Sequence, residues 1–91
     1  MEHVIAEGLF AEPITAEQIA ENVRENRACL TSHRVRHLRS CISLDGRRTI
    51  CEYEAPDAEA VRTLGKQLGI HYERVWTATV IETGSREKET V

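Results

Sequence analysis

The segment from Arg36 to Pro56, RHLRSCISLDGRRTICEYEAP, limits the folds open to this chain more than any other. Asp45-Gly46 lies between two runs of β-prone residues, and such a dipeptide supplies the positive φ angles that a two-residue hairpin turn needs. If Leu44 faces Arg47, the register of both strands follows, and the members of each cross-strand pair share a face of the sheet. One face then carries Leu38 with Tyr53, Ser40 with Cys51 and Ile42 with Thr49, a set suited to packing under helices. The other carries His37 opposite Glu54, Arg39 opposite Glu52 and Cys41 opposite Ile50, so opposite charges meet across the strands.

The flanking sequence has room for two more strands and two helices. His3 to Phe10 is an extended, largely apolar run in which His3, Ile5 and Glu7 alternate with Val4, Ala6 and Gly8, as in a central strand covered on both sides. A helix opens at Thr15, the N-cap, with Gln18 as capping-box partner and Ile14 placed to staple onto Ile19. Its apolar stripe is Ala16, Ile19, Ala20, Val23 and Leu30, and Arg27, His33 and Arg34 place cations near its C-terminus. A second helix opens around Pro56 to Ala60, with Asp57 and Glu59 complementing the dipole, and stops at Gly69. Val75 to Ile81 is the last strand.

The order strand, helix, strand, strand, helix, strand predicts an α+β, ferredoxin-like βαββαβ sandwich: a four-stranded antiparallel sheet in the order 4-1-3-2 with two helices on one face. Residues 1–82 form one domain, and 83–91 are a polar tail expected to be disordered. A net charge of −3 argues against a general nucleic-acid binder, and no apolar run approaches the roughly 20 residues of a membrane span. The N-terminus lacks signal-peptide character, so a cytoplasmic location is expected. Three cysteines without CxxC spacing predict reduced thiols rather than a disulfide framework or a closed zinc site. With both helices on one face, the helix-free face needs solvent or a partner. Its mixed character predicts a homodimer packed sheet to sheet around a cavity.

Over residues 3 to 81 the chain resembles the DUF4242 family. The resemblance is carried by Glu7, Ile14-Thr15-Ala16-Glu17, Leu38-Arg39-Ser40, Asp45-Gly46-Arg47, the run Cys51 to Arg62 (CEYEAPDAEAVR) and Val75 to Val80 (VWTATV). It implies a small, dimeric, ferredoxin-like α+β barrel protein, and one branch of the family carries the description nickel-binding. This chain departs from the family pattern at His37, at Cys41 and at His71-Tyr72, each departure adding a potential ligand or proton carrier.

Two functions are compatible with these residues. The first is binding of a divalent metal, nickel by resemblance, or of a small molecule, with His37, Glu54 and His71 as metal ligands. The second is a cofactor-independent isomerase, cyclase or lyase in which His37 works with Glu7 or Glu54 in proton transfer. Arg39 and Glu52 are candidates to contact a ligand, Arg39 through its fork. Cys41, the better candidate for a reactive thiol, and His71 and Tyr72, on a loop at the sheet end, are further candidates to contact a ligand. Each has a simpler alternative: cross-strand ion pairs for His37–Glu54 and Arg39–Glu52, packing for the cysteines, and a solvated turn for His71.

Overall fold

A computed structural model describes residues 1–83, so the expected tail beyond Thr83 lies outside the described residues. Strands β1 (Glu2–Leu9), β2 (Arg36–Ile42), β3 (Arg48–Ala55) and β4 (Tyr72–Ala78) form one antiparallel sheet in the order β2-β3-β1-β4. Helices α1 (Ala16–Glu25), α2 (Arg27–Ser32) and α3 (Ala58–Leu68) complete a β-α-α-β-β-α-β chain. The ferredoxin-like α+β layout and the strand order are as expected. There are three helices among the described residues where two were expected, and β4 begins and ends three residues early, so Tyr72 belongs to the strand.

The extra helix boundary has a local cause. The apolar stripe of α1 at Ile19 and Val23 would reach Asn26 and Arg27 on the next turn of an unbroken helix, and both are polar. Asn26 instead leaves the helical geometry (φ −108°, ψ 17°) and donates from Nδ2 to the Asn22 carbonyl at 2.8 Å. The break redirects the chain so that Leu30 of α2 enters the core. The capping box expected at Thr15 and the stop expected at Gly69 are present. Gln18 donates its N–H to Thr15 Oγ1 at 3.1 Å, and Thr15 donates its N–H to Gln18 Oε1 at 2.8 Å. Gly69 ends α3 in the left-handed region (φ 73°), whereas Asp57, expected with Pro56 in the first turn, is instead the N-cap: its Oδ1 accepts from the N–H of Ala60 at 2.8 Å and Pro56 lies before the helix.

One side of the sheet is the core. Val4 and Ala6 of β1 and Cys51, Tyr53 and Ala55 of β3 pack against Leu30, Val35, Val61 and Leu64, with Val4, Val61 and Leu64 almost completely buried. Side-chain alternation therefore turns His3, Ile5 and Glu7, with Ile50, Glu52 and Glu54, to the helix-free face.

The hairpin differs from expectation in two respects. Its loop is wider: Ser43 N–H donates to the Arg48 carbonyl at 2.9 Å and closes a four-residue connection, 44–47, in which Gly46 alone has positive φ (75°). The strand register survives because Ser43 and Arg48 are the next pair outward. Gly46 is required twice over, since a Cβ there would also lie 2.7 Å from the Ile14 carbonyl oxygen. The second difference matters more. Arg39–Glu52, Ser40–Cys51, Cys41–Ile50 and Ile42–Thr49 pair as expected, but the register shifts between His37 and Arg39. Beyond this β-bulge at Leu38, His37 pairs with Tyr53 and Arg36 with Glu54. No helix of the described residues is long and apolar enough to cross a membrane.

Candidate functional site on the helix-free sheet face

The bulge separates the residues that the sequence places together. His37 turns to the core side, where its ring stands edge-on to Tyr53 with centroids 5.5 Å apart and its Nε2 meets Ser40 Oγ at 2.7 Å. Ser40 Oγ in turn donates to Cys51 Sγ at 3.2 Å. Partial burial lowers the His37 pKa below its ordinary value, which favours the neutral ring. The expected His37–Glu54 pair is therefore replaced by Arg36–Glu54, at 3.3 Å. Glu7 and Glu54 remain on the helix-free face, so the sheet itself stands between His37 and both carboxylates. Tyr72 also points to the core side and shares a hydrogen bond of 2.9 Å with the Tyr53 hydroxyl. His71 is exposed just before β4.

The helix-free face gathers a different set. His3 donates its Nε2–H to Glu52 Oε1 at 2.9 Å, and Arg39 donates its Nε–H to Glu52 Oε2 at 2.7 Å. The Glu52 side chain is only 12% exposed although it lies on an uncovered face, because these neighbours cover it. The Arg39 bond, assisted by His3, holds the Glu52 carboxyl below the usual carboxylate range. Two residues along β1 from His3, Ile5 is buried between Glu52 and Trp76, its partners on the adjacent strands. Beyond it Trp76 donates its indole N–H to Glu7 Oε2 at 2.8 Å. Cys41 is exposed, and Ile50 and Trp76 are 43% and 45% exposed. Charged side chains thus interrupt a partly apolar surface.

His3 is the candidate residue on this face that sequence reasoning passed over. The available signal was alternation, which puts His3 on the same face as Glu7. Its partner could be named only with the β1–β3 register, in which His3 lies opposite Glu54 and Ile5 opposite Glu52. The expectation for Arg39 and Glu52 is met in placement, since they join on the helix-free face. Chemically, a histidine with a carboxylate on one ring nitrogen has its tautomer and orientation fixed and retains the other nitrogen as a donor, the arrangement common in metal ligation. Nitrogen and oxygen donors suit borderline divalent metals such as nickel. Among the described residues no three His, Cys, Asp or Glu side chains converge for a metal ion.

A family model described as "Nickel responsive protein SCO4226-like" matches residues 1–77, and the chain belongs to that family. Among solved structures, the crystal structure of SCO4226 from Streptomyces coelicolor A3(2) is similar, with a TM-score of 0.76 over 88% of this chain and 99% of that one. The two are 18% identical, so the likeness is one of fold. No curated protein matches the chain.

Proposed function

We propose that this protein is a small cytoplasmic, nickel-type divalent-metal-binding protein that works as a homodimer, with the helix-free sheet face as its interface. The reading rests on the carboxylate-oriented imidazole of His3, bonded to Glu52 at 2.9 Å. Nδ1 of His3 is the ligating atom. Glu52 fixes the tautomer, and Glu54, opposite His3 and bridged to Arg36 at 3.3 Å, supplies a carboxylate oxygen. A second copy facing the first brings the same donors again and completes the set. The exposed Ile50 and Trp76 side chains give the two sheets apolar surface to bury. Membership in a family described as nickel responsive, together with the DUF4242 resemblance, agrees with this chemistry.

Calorimetric titration of untagged protein with nickel tests the reading. The parent protein is expected to bind saturably, His3→Ala to lose binding, and Glu52→Gln to weaken it about 10- to 100-fold. His71→Ala and His37→Gln leave it unchanged. Loss of binding in His71→Ala with His3→Ala unaffected would overturn the assignment, as would no saturable heat in the parent.

A further inference from the structure

Helix α1 buries none of its residues, although its apolar stripe faces inward. Ile19 and Val23 line a cavity of about 250 Å³ between the helix and the core side of the sheet, together with Phe10, Ile14 and Ile70. The cavity is held open from both ends. At the N-terminal end the connection from β1 is bonded to the hairpin turn: Phe10 N–H to the Arg47 carbonyl, Ile14 N–H to the Gly46 carbonyl, each at 2.8 Å, and Arg47 Nη1 to the Ala11 carbonyl at 2.6 Å. At the other end Leu30 of α2 is anchored in the core. The helix is tied at each end and stands off the sheet, leaving a cleft beneath it that is partly open to solvent.

The lining selects a class of occupant. Among the described residues no charged side chain lines it, and its polar groups are Gln18 and Asn22 on the helix and Thr49, Cys51 and the Tyr53–Tyr72 hydroxyl pair on the sheet. Each tyrosine oxygen retains capacity to accept a hydrogen bond. An apolar cavity of about 150 Å³ is enough to take benzene, and mostly apolar walls with a few placed polar groups are the usual build of a small-molecule site. We propose that this cavity binds a small uncharged aromatic molecule of one or two rings with a single hydrogen-bonding substituent, its rings against Ile19, Val23 and Phe10 and its substituent at the Tyr53–Tyr72 pair. The site lies on the opposite side of the sheet from His3 and is independent of the metal reading.

The test uses 2-naphthol as the probe, at a pH where it is neutral, and follows the amide spectrum of the labelled protein by NMR. Saturable shifts are expected at residues lining the cavity. Val23→Phe, which fills the space, weakens binding by at least about tenfold, and Tyr72→Phe weakens it less. In a protein carrying Cys29→Ser and Cys41→Ser, saturating probe slows the reaction of Cys51 with a thiol reagent. Shifts confined to the helix-free face, no saturable shifts, or Cys51 reactivity and affinity indifferent to the probe and to Val23→Phe would each overturn the proposal.

Discussion

His3 and Glu52, 49 positions apart, meet at 2.9 Å on the helix-free face, and Glu52 simultaneously takes the Arg39 guanidinium at 2.7 Å. One carboxylate therefore ties the central strand β1 through β3 to the edge strand β2. In a double-mutant cycle with His3→Ala and Glu52→Gln, a coupling of about 0.5–1 kcal/mol in unfolding free energy is expected. Chemical denaturation of the four proteins measures it, and additive losses would show that the pair is not coupled.

Acid stability should show two separate limbs. Neutral His37 has a folded pKa below its unfolded value, so as pH falls below about 6.5 the unfolded chain takes up the proton first. Its contribution is complete above that pH and declines towards the lower folded value. Glu52 also has a depressed folded pKa, so its contribution is present above the unfolded carboxylate value near 4.3 and is lost as pH falls further. Denaturation midpoints from about pH 7 to 3 check both limbs: His37→Gln flattens the upper one and Glu52→Gln the lower.

Helices α3 and α1 should respond unequally to truncation. Leu64 on α3 is buried to 1% exposure, and its replacement by alanine costs about 3 kcal/mol. Ile19 on α1 faces the open cavity, where a comparable truncation removes fewer contacts, and Ile19→Ala costs at most about 1.5 kcal/mol. Equal losses would mean that α1 packs as tightly as α3.

Arg34 holds a positive φ of 62° just past α2, where its N–H donates to the Thr31 carbonyl at 2.9 Å. A residue with a Cβ is strained there, and Arg34→Gly is expected to stabilise the fold by about 0.5–1 kcal/mol after the entropy of glycine is counted. A fall in thermal midpoint would contradict this account of the α2 terminus.

Trp76 is the sole tryptophan and stands on the helix-free face, bonded to Glu7. Its emission should shift to the blue as concentration rises and a second copy covers it, and nickel should quench it in the parent but not in His3→Ala. Filling the cavity under α1 should leave the nickel response unchanged. Emission independent of both concentration and nickel would count against the dimeric site.

Much of the architecture was legible because it follows from short-range chemistry. The Thr15–Gln18 box, the left-handed Gly69 and the alternation around Asp45-Gly46 each specify their own local geometry. Three features escaped that logic. The bulge at Leu38 inserts one residue without a glycine or proline to announce it, yet it turns His37 to the opposite face and replaces it with Arg36 beside Glu54. The break at Asn26 depended on whether the stripe beyond Val23 could reach the core, which is a tertiary question. The His3–Glu52 pair needed the register between strands distant in sequence, and alternation along β1 gives only its face.

The most direct test of the central claim is a crystal structure of the untagged protein grown with nickel, with anomalous data collected on both sides of the nickel edge. The account predicts a dimer packed sheet to sheet, with anomalous density beside His3 Nδ1 and Glu54 and with donors from both copies. Density at His71, or a sheet face that remains uncovered with no metal beside His3, would contradict it.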